Sequence, residues 1–80
     1  MALVDWKAAV VLIRNAGISF PEIERRTGLN SDTLANIATG RQRTVEWEFG
    51  TVLLDVAADV LPSDQLQRIR GKGAKYRDWN

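Results

Sequence analysis

Three observations predict an all-α fold of four to five short helices for this 80-residue chain. Apolar residues recur at helical spacing in successive segments, and glycine or proline stands just past the end of each. Two of these segments lie within Ser19–Gly40 and flank one turn glycine, Gly28, with inward-facing residues on both sides of it. Eighty residues allow one domain with a thin core.

The first helix is predicted over Asp5 to Ala16. Asp5 caps it, Trp6, Ala9, Val10, Ile13 and Ala16 form its apolar stripe, and Gly17 ends it. Trp6 is expected in the core. Two rules compete over the start of the second helix. The Ser19-x-x-Glu22 spacing makes Ser19 the cap, whereas Pro21 is best placed at the first helical position, which moves the cap to Phe20. The proline rule is preferred here. Ile23 and Thr27 then face inward, Glu22, Arg25 and Arg26 face out, Gly28 ends the helix and Leu29 turns back into the core. Asn30 or Ser31 caps the third helix, which buries Leu34 and Ile37 and stops at Gly40.

Thr44 is read as the cap of a fourth and longest helix, running to Leu61 and stopped by Pro62. Its apolar positions cover roughly 240° of the circumference, more than three short helices on one side require. The excess arc needs either the tail or a second subunit to cover it; as a dimer interface it predicts Val52, Leu53, Val56 and Val60, with Trp79 of the tail as an anchor. Ser63 can cap a short fifth helix from Asp64 to about Arg70, followed by a basic tail. Two parts are therefore expected: a domain over 1–62, and a segment over 63–80 serving dimerisation or DNA.

Composition narrows the chemistry. The chain has no cysteine and no histidine, so a disulfide, a thiolate metal site and a Ser/His or Cys/His nucleophile pair are all ruled out. Glu48, Asp55 and Asp59 share a helical face, but a solvated strip explains them better than a cation site. Gly71-Lys72-Gly73 is too short for a phosphate loop and follows no strand. A non-enzyme without cofactor or metal is expected. With no membrane-length apolar run and no signal-peptide pattern, the expected setting is cytoplasmic. The net charge of +1 is distributed unevenly. Residues 1–40 carry four basic and four acidic groups, 41–62 carry two and four, and 63–80 carry five and two. Arg41 and Arg43 stand directly after Gly40.

Counted from Phe20, apolar residues fall at places four (Ile23), ten (Leu29), fifteen (Leu34) and eighteen (Ile37), with glycine at nine (Gly28). Two helices that cross steeply need a left-handed turn residue between them and inward side chains on either side, which leaves the far face of the second helix free for a DNA groove. An ordinary helical hairpin in a small bundle is the plainer alternative.

On Ile23–Leu29 and Thr33–Gly40, residues 5–61 resemble the Cro and phage-repressor, or xenobiotic-response-element type, helix-turn-helix family. The fifth motif place, usually alanine in that family, is Glu24; the first, often a phosphate-touching glutamine, is Phe20. The resemblance implies a lambda-repressor-like domain, a homodimer on palindromic double-stranded DNA and transcriptional regulation, most simply repression. It implies base-facing positions at Asn30, Ser31, Asp32, Ala35, Asn36 and Thr39, and backbone contacts from Ser19, Arg41, Gln42 and Arg43. Asn36 suits adenine, Asp32 cytosine N4 and Ala35 a thymine methyl. The face carries no arginine or lysine, so affinity is expected to come from phosphate contacts by its flanks. An antitoxin or adaptor, using the fourth helix and tail to hold a protein partner, is the alternative.

Overall fold

The computed structural model describes residues 4–70, and the secondary structure of these residues is entirely helical. The helices are α1 (Trp6–Asn15), α2 (Phe20–Thr27), α3 (Ser31–Ala38), α4 (Trp47–Val60) and α5 (Ser63–Arg70). Trp79 and the tail lie outside the described residues. No helix among them is long and apolar enough to cross a membrane.

Local chemistry sets most of the boundaries. The Asp5 carboxylate accepts from Ala8 N at 3.0 Å and opens α1. Asn30 Oδ1 accepts from Thr33 N at 2.8 Å and opens α3, so Asn30 rather than Ser31 is its cap. Gly17, Gly28 and Gly40 all have positive φ, at 103°, 84° and 84°. The second helix departs from the proline-based expectation. Ser19 is the cap, its Oγ accepting from Glu22 N and its carbonyl from Ile23 N, and Pro21 occupies the second helical position. The amide at that position has no intrahelical acceptor either, so proline sits there without losing a bond. Phe20 is held against α1, with the Arg14 guanidinium 5.0 Å from its ring centroid.

Thr44 does not cap α4. The helix begins at Trp47 after Glu46, whose side chain makes no capping bond. The Thr44 carbonyl, which would have had to accept a helical bond, accepts from Gln42 Nε2 at 3.0 Å instead. Ser63 is likewise the first helical residue of α5 rather than its cap; the Pro62 carbonyl takes the amides of Gln65 and Leu66.

The core gathers on α1, which packs against α3, α4 and α5, while α2 packs on α3 and α4. Ala9, Val10, Ile13, Ile23, Leu34, Ile37, Leu53, Ala57 and Ile69 are fully buried. Thr27 is the buried polar residue of this core, and its hydroxyl is satisfied on both sides, donating to Ile23 O at 2.7 Å and accepting from Leu29 N at 3.2 Å. At Gly50, the fourth residue of α4, the Trp6 ring lies so close that a β-carbon would sit 2.7 Å from its Cη2 atom. Trp6 itself is half-buried against the core.

One expectation changes here. Leu53 is fully buried and Val56 is 6% exposed, so neither offers a surface to a second subunit; Val52 and Val60 are half-buried. Part of the apolar arc of α4 is covered within the chain, where α5 packs on α4 and Ile69 enters the same core, while Trp47 and Ala58 stay exposed. α5 also packs on α1, and Asp5 N donates to Ile69 O at 2.6 Å.

Two substitutions test this packing. Gly50→Ala gains about 1 kcal/mol of helix propensity but must displace a bulky ring, typically a cost of about 1–3 kcal/mol. A net loss of stability in urea denaturation is expected, and a gain would show that Trp6 moves aside freely. Val56→Glu buries an unpaired carboxylate, at a cost on the order of 3 kcal/mol or more. Circular dichroism should show a strongly lowered melting temperature, in contrast to a stably folded monomer released from a dimer.

Candidate nucleic-acid interface

On α3, burial of Leu34 and Ile37 leaves the opposite side accessible. Asp32, Ala35, Asn36 and Thr39 follow at i, i+3, i+4 and i+7 and so share an arc of roughly 100°. Asp32, Ala35 and Thr39 are exposed and Asn36 is half-exposed. Asn30 and Ser31 precede them at the helix start.

Internal hydrogen bonds divide these six side chains. Asn30 spends its carbonyl on the cap of α3, leaving its NH2. Ser31 Oγ donates to Glu24 Oε1 at 3.0 Å. Thr39 Oγ1 donates back to the carbonyls of Ala35 and Asn36, at 2.9 and 3.3 Å. Among the described residues no hydrogen bond engages the side chain of Asp32 or of Asn36. The amide of Asn36 keeps both donor and acceptor for a base edge, and Asp32 sits where the α3 dipole favours its charge.

The chain closes α3 and turns back along it. Gly40 N donates to Ile37 O at 3.1 Å, and Gln42 N to Asn36 O at 3.0 Å. This fold-back brings Asn36, Arg41, Gln42, Arg43 and Thr44 around one shallow depression. A candidate base reader and three candidate backbone contacts therefore adjoin. Ser19 is not part of that depression; it caps α2. Arg41 and Arg43 are exposed and make no ion pair among the described residues.

The basic groups of α2 are used differently. Glu22 accepts from Arg25 Nη2 and, at 2.9 Å, from Arg26 Nε, while Arg26 also approaches Asp59 of α4 at 3.6 Å. The Arg25 and Arg26 hydrogen bonds, in that order of weight, hold the Glu22 carboxyl below its usual range. The guanidinium of Arg25 is shifted up by the same carboxylate. Positive charge beside α3 consequently comes from Arg41, Arg43 and a residue not selected from sequence, Lys7. A β-carbon built on Gly40 would lie 4.0 Å from Lys7 Cδ, so the lysine stem runs beside the end of α3. Periodicity places Lys7 off the apolar stripe of α1, but no sequence signal locates it at Gly40. Glu24 was visible only as a departure from the family pattern; its bond to Ser31 links α2 to α3 across the turn.

No group of three or more histidine, cysteine, aspartate or glutamate side chains able to hold a metal ion occurs among the described residues. Comparisons of the chain with protein-family models, with curated proteins and with solved structures give no match.

The Glu22 cluster carries a pH prediction. Its folded-state pKa lies below the unfolded one, so its stabilising contribution is present above the ordinary glutamate value of about 4.3 and disappears as pH falls through the folded value. Glu22→Gln should therefore melt lower than wild type at pH 6, with the gap narrowing as acid protonates Glu22 in the folded chain. The gap should be small because the cluster is solvent-exposed. A gap that did not change with pH would assign the effect to packing instead of charge.

Proposed function

We propose that this chain is a sequence-specific DNA-binding transcriptional regulator of the Cro/phage-repressor helix-turn-helix type, acting most simply as a bacterial or phage repressor in the cytoplasm. α2 and α3 are the two helices of the motif, Gly28 is its turn, and α3 enters the major groove. The observation that carries this reading is the depression shared by Asn36 with Arg41, Gln42 and Arg43. A base-reading amide adjoins two unpaired cations suited to phosphate, the division of labour that DNA readers need. The resemblance of Ile23–Leu29 and Thr33–Gly40 to the family supports the same assignment.

In this reading Asp32, Ala35 and Asn36 discriminate bases, while Arg41 and Arg43 supply affinity that falls with salt. The family's homodimer on a palindrome is part of the proposal, but its interface is not the buried set around Leu53 and Val56. Trp47, 59% exposed at the start of α4, is the large apolar side chain left on the surface of the described residues. The same tryptophan favours a second reading, an antitoxin- or adaptor-like module that holds a protein partner.

Selection of bound sequences from random duplex DNA tests the proposal. A palindrome with half-sites about one helical turn apart is expected; absence of any enriched sequence would favour the protein-partner reading. On the selected site, Asn36→Ala should cost about 1–3 kcal/mol and relax preference at one base position. Arg41→Ala and Arg43→Ala should weaken all duplexes alike and lower the salt slope by about one each. Gel shifts across operator variants and salt concentrations separate these outcomes, and an unchanged preference in Asn36→Ala would remove that residue from the reading face.

A further inference from the structure

A second depression lies on the other side of the 40–43 loop. This cleft, of about 360 Å3, has Lys7, Trp6 and Val4 on its α1 side and Gly40, Gln42 and Arg43 on its loop side. It shares Gln42 and Arg43 with the depression that holds Asn36 and Arg41. We propose that the cleft between the start of α1 and the 40–43 loop is a second DNA-backbone site, in which Lys7 and Arg43 grip a phosphodiester. The inference rests on the DNA-binding reading and extends it to a residue outside the helix-turn-helix.

The charge balance of the cleft favours an anion. Lys7 and Arg43 are exposed and neither forms an ion pair among the described residues. One carboxylate, that of Asp5, also lines the cleft. It is committed to the first turn of α1, accepting from Ala8 N at 3.0 Å, and faces the positive end of that helix dipole. The Gln42 side-chain NH2 is bound to Thr44 O, which fixes the loop wall. The Lys7 stem runs beside Gly40, where a β-carbon would stand 4.0 Å from Lys7 Cδ. Because the two depressions share Arg43, an anion seated beside Lys7 belongs to the same extended polyanion that meets Asn36 and Arg41. A nucleic-acid backbone satisfies this condition, with phosphates spaced along one strand.

The test uses the full chain and a fluorescently labelled duplex, with affinity measured by anisotropy over a range of NaCl concentrations. Lys7→Gln should reduce the slope of log K against log salt by about one and weaken binding about tenfold at 0.1 M salt, equally on every sequence. Lys7→Arg should restore both, and the melting temperature of Lys7→Gln should stay at the wild-type value. In 15N-labelled protein, the amides of Lys7, Gly40 and Gln42 should shift when duplex is added. Wild-type binding with an unchanged slope in Lys7→Gln and unmoved amides would overturn the clamp while leaving the DNA reading intact. A loss confined to one sequence would also overturn it, by making Lys7 a base contact. Failure of the wild-type chain to bind any duplex at low salt would overturn both.

Discussion

Trp6 lies against the backbone of α4 at Gly50, and much of the molecule's arrangement follows from that contact. A glycine within a helix lowers its stability by up to about 1 kcal/mol relative to alanine, yet here, at the fourth residue of α4, it lets a large ring approach where a β-carbon would stand 2.7 Å from it. The approach holds the start of α1 against α4. The rest of α1 then buries Ala9, Val10 and Ile13 in a core shared with α3, α4 and α5. Lys7 is the next residue after the anchoring ring, so the same contact that seals the core fixes where a cation stands relative to Gly40. Core geometry and surface charge are coupled by one residue step.

The turn between α2 and α3 is constrained from more than one direction. Gly28 has φ +84°, a backbone conformation that favours glycine, and it packs beside the Phe49 ring of α4, which a β-carbon there would meet at 3.4 Å. Thr27 satisfies its own buried hydroxyl through Ile23 and Leu29. Glu24 adds a bond to Ser31 over the outside of the turn. That bond accounts for a carboxylate at a place where the resembled family usually has a small apolar residue. It also removes the Ser31 hydroxyl proton from the candidate reading face and puts negative charge near it, concentrating the reading capacity on Asp32, Ala35 and Asn36.

The helix pattern was legible in the sequence wherever the determining forces are local. Ile23, Gly28, Leu29, Leu34 and Ile37 identify α2, the turn and α3 because periodicity and a left-handed residue act within a few positions. The start of α4 was not legible in this way. Thr44 has the chemistry of a cap, but its carbonyl is taken by the side chain of Gln42, a bond that depends on how the loop folds back along α3. Which element covers the broad apolar arc of α4 was open between the tail and a second subunit, because it depends on tertiary packing; Ile69 of α5 is fully buried, and Asp5 N donates to Ile69 O beside the start of α1. The candidate site divides similarly. The exposed face of α3 follows from spacing, and the roles expected of its residues and of the arginines after Gly40 from the family resemblance, whereas Lys7 reaches Gly40 only through tertiary packing.

In the proposed complex, the distribution of basic residues would put affinity and discrimination on different parts of this surface. Arg25 and Arg26 are close to the motif in sequence, but Glu22 holds both and Asp59 draws on the second, so their charge is largely neutralised locally. Arg41, Arg43 and Lys7 lack such partners among the described residues. They flank the end of α3, and none lies on its exposed arc. An arginine on the arc would give a strong bidentate guanine contact, and an amide there gives a weaker and more adaptable one. Phosphate contacts gathered at one end orient α3 without carrying sequence information. In the proposed complex, discrimination then rests on how closely the flanking cations bring Asn36 to a base edge, which makes the geometry of the Gly40 turn as important to specificity as the residues on the reading face.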